Sequence, residues 1–435
     1  MLLAASSTAW IAVHVCSPDD KRNQRYWLHQ QKRAYALSTA HCADNTDGSR
    51  YSRNNSIDTK SKLIFLGSGS STGCPRPLCA LLFGDADQQA DTGTPVASST
   101  AVETMSGELA HKCRTSIEAI RGGDPRTNPN YRNNPSLLLS VVSPVDGERR
   151  NVVIDVGKTF REGALRWFPT LGIQSIDSII LTHEHMDAAG GLDDVRGFQH
   201  YVRRTTTNET VASAHFPFRQ VPMPLFLSQH CLAAVQAQFP WLIPKEQEAK
   251  KGNVASVKRH VASFDVTVFE PYQAFEALPG FYVTPLPVMH GEDLVSYGFC
   301  FTLGGRDSGE DACNVVYLSD ISRMLPETME YIQERFASQP IHILVVDALT
   351  PSTPNPVHFH LEQAMAQVVS ILQPCRTYLV GMNCDGFPPH AKANEQLLKR
   401  SAQLENGKTV QMAHDGLVIE LPLNGADSVV SAAVR

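Results

Sequence analysis

The sequence predicts a layered α/β protein with one dominant domain over residues 61–435. Three observations carry that prediction. At 42% hydrophobic and 19% charged residues, the chain has the composition of a globular protein able to bury a core. Short apolar, β-prone runs recur along it, several of them ending in Gly, Ser or Asn turns. Helical patterns fall between several of those runs, as expected where helices layer onto sheets.

Order is expected to begin at Lys62-Leu63-Ile64-Phe65-Leu66, a strand-like run ending in the tight Gly/Ser loop 67–73. Residues 84–112 are small, polar and rich in Ser, Thr and Asp, so they are expected as a surface insertion. Strands follow at Ser136–Val142, Val152–Val156, Ser178–Thr182 and Leu225–Leu227. Later ones are Tyr282–Leu286, Gly298–Leu303, Val315–Leu318, Ile343–Val346, Thr377–Val380 and Leu417–Leu421. Helical patterns cover 188–203, 230–239, 326–336, 361–372 and 393–404. In the fourth, Leu361, Ala364, Val368 and Leu372 recur at helical spacing.

Several classes are excluded at this level. The 38 Lys+Arg against 44 Asp+Glu leave a net charge of −6, which argues against a broad nucleic-acid footprint. No uninterrupted apolar run reaches the roughly 18 residues of a membrane-spanning helix, so no membrane partner is expected. Ten cysteines scattered over the whole length are too sparse for a small disulfide scaffold and read as reduced thiols, some of them available to metal. Residues 1–60 differ from the rest: an apolar start, then Lys21, Arg22, Arg25, Lys32 and Arg33, then polar residues. They are expected as a flexible extension, with a mitochondrial presequence as the alternative that Asp19 and Asp20 count against. Cytoplasm is the default compartment.

The chemistry is concentrated in Thr182-His183-Glu184-His185-Met186-Asp187, directly after a strand. A chance His-x-His-x-Asp is expected only about 0.03 times in a chain of this composition, so the match is informative. Two imidazoles and a carboxylate leaving one strand end suit Zn²⁺, Mn²⁺ or Fe²⁺; three solvated loop residues are the plain alternative. His290, Asp320 and Cys384 each follow a further strand. Singly they also fit a loop histidine, a helix cap and a buried thiol. In this order, strand after strand, they point to one site at the edge of a sandwich.

On these motifs the sequence resembles the metallo-β-lactamase superfamily of metal-dependent hydrolases. The order is similar: Ile154-Asp155-Val156-Gly157, then His183, His185 and Asp187, then His290, Asp320 and a last strand-end residue. Gly67–Pro75, Val357-His358-Phe359-His360-Leu361-Glu362 and Ala413-His414-Asp415-Gly416-Leu417 look like the branch holding phosphoribosyl cyclic phosphate phosphodiesterase and the tRNase Z enzymes. The likeness spans about 61–421. It implies a four-layer αββα sandwich carrying a flexible N-terminal extension. It implies that His183, His185, His290 and a bridging Asp320 hold a first metal. Asp187, Asp320 and Cys384 are then left for a second. It also implies that Asp187 orients or deprotonates water, that His358 protonates a leaving oxygen or grips a phosphate oxygen, and that Asp155 orients a neighbour. His360, immediately before the helix, is expected as its cap.

Two departures from the family pattern fall on the second metal position. Alanine stands at 188 where the family has histidine, and Asn383-Cys384 stands where it has a Thr-His turn. Thiolate favours zinc over manganese, so one or two Zn²⁺ ions are expected, Mn²⁺ being the alternative, with the second position weak or empty. Asp193 and Asp194 are candidates to replace the lost imidazole. Cys74, Cys79 and Cys113, with His111 and His390, supply the residue types of the branch's cysteine-rich zinc knot. The 84–112 insertion interrupts their spacing, and reduced loop thiols are the preferred reading. The expected activity is a phosphodiesterase acting on a small phosphoester through metal-activated water. A tRNA 3′-processing nuclease, a glyoxalase-like thioester hydrolase and a non-catalytic metal-binding module are the alternatives. A homodimer stays open.

Overall fold

The computed structural model describes residues 60–79, 113–203, 218–244, 261–304, 312–384, 386–402, 404, 407–421 and 429–431. All belong to the unit Thr59–Arg435. Residues 1–59 of the expected extension and the expected insertion 84–112 lie outside the described residues.

Two mixed sheets face one another. The first runs in the order β17 (Val429–Ser431), β16 (Leu417–Leu421), β1 (Ser61–Gly67), β2 (Ser136–Val142), β3 (Arg149–Ile154), β4 (Ser178–Ile180), β7 (Met223–Leu227), β8 (Phe264–Val268). The second runs β15 (Thr409–Met412), β14 (Arg376–Val380), β13 (Ile343–Asp347), β12 (Cys313–Leu318), β11 (Leu294–Leu303), β10 (Phe281–His290), β9 (Phe275–Leu278). A small hairpin pairs β5 (Tyr201–Arg203) with β6 (Phe218–Gln220). Neighbours from β3 to β8 and from β12 to β15 are parallel. Parallel neighbours cannot be joined by a tight turn, so helices cross between them. These are α2 (Phe160–Leu171), α4 (Gln229–Gln238), α5 (Pro326–Arg335) and α8 (His390–Ser401). Between β13 and β14, α6 (Leu361–Ala364) passes through a π turn, Met365–Val369, into α7 (Ser370–Leu372).

Side-chain alternation along the strands builds three apolar layers. In β2, Leu137 and Leu139 face the second sheet, while Leu138 faces α2. In β13, Ile343 and Val345 enter the inter-sheet core, while Leu344 and Val346 meet the π turn and α8. A strand buried on both faces needs apolar residues at every position, which is why these runs read as continuous hydrophobic stretches. Helix, sheet, sheet, helix is the αββα sandwich that the resemblance implies.

One expected helix is replaced. Instead of 188–203, the chain forms a single turn, α3 (Met186–Ala189), and a 3₁₀ turn, Asp194–Phe198, before β5. Gly191 donates to the Val156 carbonyl at 2.7 Å. A Cβ there would meet the Gly157 carbonyl oxygen at 2.6 Å. The loop after β3 docks where a continuing helix would run. The pattern also missed α1 (Arg114–Arg121) and α2.

Candidate metal centre

The ends of β4, β10, β12 and β13 deliver their side chains to one edge of the sandwich, the edge where open α/β sheets receive ligands. His183, His185 and His290 each offer a ring nitrogen within 4.8 Å of the others. Their ring centroids are 4.6 to 5.2 Å apart. Asp320 and His358 extend the group, sharing the same 4.8 Å spacing with His290. His183, His290 and Asp320 are buried; His185, just before α3, is exposed.

Hydrogen bonds set which nitrogen of each buried imidazole is free. Thr182 donates its hydroxyl to Asp155 Oδ2 at 2.8 Å, so its oxygen accepts from His183 Nδ1–H, also at 2.8 Å. That leaves His183 Nε2 as a lone pair, buried and without a partner. His290 Nδ1 donates to the Val357 carbonyl at 2.7 Å, so its Nε2 is likewise the free atom. Locking one imidazole nitrogen by a carboxylate relay or a carbonyl is how metal-binding histidines are oriented. Burial drives the His183 pKa down to about 3 and lowers that of His290, so both rings are neutral donors near pH 7.

The carboxylates are held with comparable care. Asp155 and Asp320 leave their strands at φ 62° and 51°. A left-handed, non-glycine residue costs on the order of 1 kcal/mol unless its surroundings hold it. Asp155 is held by the Thr182 amide at 2.9 Å and the Thr182 hydroxyl. Asp320 accepts from the Ser319 hydroxyl at 2.7 Å. Burial pulls the Asp320 carboxyl upward, but the facing His183, His358 and His290 and the Ser319 hydroxyl outweigh it and hold it below its usual value; near pH 7 the charged ring among them is His358. Asp187, in α3, is pushed up to about 6 by burial and by the Asp320 charge.

A residue not singled out from the sequence completes the group. Asp347, the last residue of β13, is fully buried and accepts from His358 Nδ1 at 2.7 Å. Burial alone lowers the His358 pKa; the Asp347 carboxylate, followed by Asp320 and Asp187, reverses this and lifts it to about 9. His358 therefore keeps a proton near pH 7. The strand-end logic that picked Asp320 applies equally to Asp347. His360 caps α6, accepting from the Gln363 amide while Gln363 Oε1 accepts from the His360 amide.

Cys384 requires a correction. Expected at a second metal position beside Asp187 and Asp320, it sits instead with Cys74, Cys79 and Cys113 in a separate buried cluster. Its Sγ is 3.9 Å from that of Cys79 and accepts from Arg76 Nε at 3.1 Å. After β14 the backbone turns through Gly381 at φ 74°, and Met382 bridges to Gly69 of the opening loop. Cys384 is thereby carried to that loop. Ala188 is buried, its carbonyl accepting from the Val156 amide at 2.7 Å. Among the described residues, neither Asp193 nor Asp194 joins a metal-type cluster; Asp193 is 3.7 Å from Arg196.

The thiols form a second ligand-like set. Cys79, Cys113 and Cys384 present sulfurs within 4.8 Å of one another. The hydrogen bond from Cys74 draws Cys384 down to about 5, with Arg76 adding to the effect. Arg132 is buried beside them, with Nη1 and Nη2 unpartnered, and feels the charges of Cys74 and Cys384. His390 starts α8, where its Nε2 contacts the Asn394 amide nitrogen at 2.9 Å; His111 lies outside the described residues. Among the described residues, no helix is long and apolar enough to cross a membrane.

Residues 150–382, more than half of the chain, match the family model of the beta-lactamase superfamily domain. Similar solved structures include a diphosphatase from the PhnP family, 25% identical over 83% of this chain and 98% of that one, with a TM-score of 0.51. Zn²⁺-bound PqqB from Methylobacterium extorquens is 16% identical over 82% of this chain and 99% of its own, with a TM-score of 0.51, a likeness of fold. An octanoyltransferase from Porphyromonas gingivalis is 35% identical over 99 residues, 21% of this chain. The chain spans only 18% of that curated relative. With the motif order and the two-sheet sandwich already described, these likenesses have one outcome: the chain belongs to the metallo-β-lactamase superfamily of hydrolases, in its PhnP-like branch.

Proposed function

We propose that the chain is a metal-dependent hydrolase of small phosphoesters, specifically a phosphoric diester hydrolase. The observation that carries this reading is the meeting of three imidazoles with Asp320 and a protonated His358 at one sheet edge. The likeness to a PhnP-family diphosphatase, a protein named for phosphate chemistry, supports it. The donor set fits a divalent ion, because His183 Nε2 is buried, pre-oriented and without a protein partner. His183, His185 and His290 would hold it, with Asp320 beside them. A divalent cation there supplies an acidified water and polarises a phosphoryl oxygen.

The remaining steps belong to the chain's own residues. Asp187 orients the attacking water and takes its proton, a role suited to a carboxyl raised to about 6. His358, kept protonated by Asp347, hands its proton to the leaving oxygen. With alanine at 188 and Cys384 turned to the opening loop, a second position keeps only Asp187 and Asp320, so one active-site ion is expected. The test is turnover of bis(p-nitrophenyl) phosphate with Zn²⁺ or Mn²⁺, lost on chelation and restored by the metal. Hydrolysis of an acyl thioester without any phosphodiester turnover would sink the reading.

The thiol cluster belongs to the same reading as a separate, structural zinc site. Sulfur ligands suit a soft cation, and the two neighbouring arginines stabilise the thiolate form of those ligands. Cys79→Ser combined with Cys384→Ser is expected to remove one equivalent of zinc by elemental analysis and to lower the thermal midpoint. Unchanged stoichiometry would return these residues to plain buried thiols.

A further inference from the structure

Beside the histidines lies a cavity of about 330 Å³ that the proposed chemistry leaves unused. It is an open cleft, lined by the start of α4, the link after β8 and the β10–β11 hairpin. Its walls are tied to the backbone around the metal centre. His230, in α4, donates from Nε2 to Glu184 Oε1 at 3.1 Å, and the Tyr297 amide donates to the Thr182 carbonyl at 3.1 Å. Thr182 and Glu184 flank His183, and Asp293 follows His290 by three residues around the hairpin turn. Whatever presents a phosphate to the imidazoles has this cavity next to it.

The lining states what it accepts. Phe269 and Tyr297 meet edge to face, with centroids 5.0 Å apart, and Val295 adds a half-exposed apolar wall. Phe269 is buried in the core behind the cavity, so the partly exposed Tyr297 is the ring left to take the face of another ring or a sugar. Glu270 and Asp293 stand exposed at the cavity, and among the described residues that line it there is no lysine or arginine. Carboxylates accept hydrogen bonds from N–H and O–H groups and repel a second anion. The volume falls at the small end of ligand pockets, enough for one ring system and its sugar.

We infer that this cavity is a specificity subsite for one ester group of the substrate. It takes an uncharged, ring-bearing group with N–H or O–H donors, of the nucleoside class, and excludes a further phosphate. The assignment rests on the phosphodiester reading for its catalytic meaning, and on the cavity alone for binding.

Two measurements on the zinc-loaded, full-length chain separate these. The first compares kcat/KM for thymidine 5′-(4-nitrophenyl phosphate) with that for methyl 4-nitrophenyl phosphate. A preference of about ten-fold or more for the nucleoside ester is expected, and Val295→Arg should reduce it about ten-fold, mainly through KM. Glu270→Lys with Asp293→Lys should shift preference toward the same nucleoside ester carrying a 3′-phosphate. A wild-type preference near one, or a preference that neither variant moves, overturns the subsite. The second is saturation-transfer NMR with thymidine, expected to give a signal in the wild type that Val295→Arg removes. No signal in the wild type overturns the subsite even if phosphodiesters are hydrolysed. A signal lost in Val295→Arg, with no phosphodiester turnover by any divalent metal, keeps the subsite and removes the phosphodiesterase reading instead.

Discussion

His185→Ala lowers bis(p-nitrophenyl) phosphate turnover by about a thousand-fold, equivalent to roughly 4 kcal/mol of transition-state stabilisation. The magnitude follows from losing one of three imidazoles that would hold the ion, since both water activation and phosphoryl polarisation depend on it. His185 is the informative choice among the three. It is exposed and makes no side-chain cap bond to α3, so its removal leaves the fold intact. His183→Ala would instead empty a fully buried position and strand the Thr182–Asp155 relay, mixing unfolding with lost chemistry. The measurement pairs kinetics with bound metal per chain and a thermal midpoint. Full turnover in a folded His185→Ala protein would dissolve the proposed centre.

His358→Ala lowers kcat by about 10²–10⁴-fold on a phosphodiester whose leaving group is an alkoxide, the usual range for removing a general acid. On a 4-nitrophenyl ester the loss is much smaller, because nitrophenolate departs without a proton. Asp347→Asn follows the same leaving-group pattern, since the carboxylate keeps the proton on His358, while an asparagine oxygen can still accept the Ile321 amide that Asp347 holds at 3.2 Å. The double variant is no worse than the more damaged single one, as expected of residues that work as a unit. A merely structural role would reduce both substrates alike and would make the losses add. Equal losses across leaving groups would therefore take the acid role away from His358.

Much of this arrangement was legible in the residues because it is written locally. The runs Ser136–Val142 and Leu417–Leu421 are strands with those bounds. The residues His183, His290 and Asp320 lie at or just beyond the ends of apolar runs, at the C-terminal ends of β4, β10 and β12. Other elements carried weaker local signals. In β8 the residues Phe264-Asp265-Val266-Thr267-Val268 alternate apolar with polar, the pattern of a half-exposed strand, and not the continuous apolar run by which the buried strands were found; it pairs with β7. The 188–203 pattern has apolar residues at suitable spacing, yet Gly190-Gly191 serves close backbone approach to the loop after β3. Spacing alone cannot report that approach.

The amino-acid order by itself determined a layered α/β chain and the identity of most residues that gather at the candidate metal edge, while the four-layer sandwich was implied by the resemblance its motifs carry. Periodicity and strand ends are properties of neighbouring positions, and the apolar free energy they encode acts wherever the strand is placed. Only the tertiary structure decided that Asp347 reaches His358 from the next strand, that Cys384 turns away to join Cys79 and Cys113, and that Glu184 and Thr182 anchor a cavity beside the imidazoles. Those contacts join residues far apart in the chain, or depend on the hand of a single backbone turn such as Gly381. Their geometry exists only after the two sheets have packed.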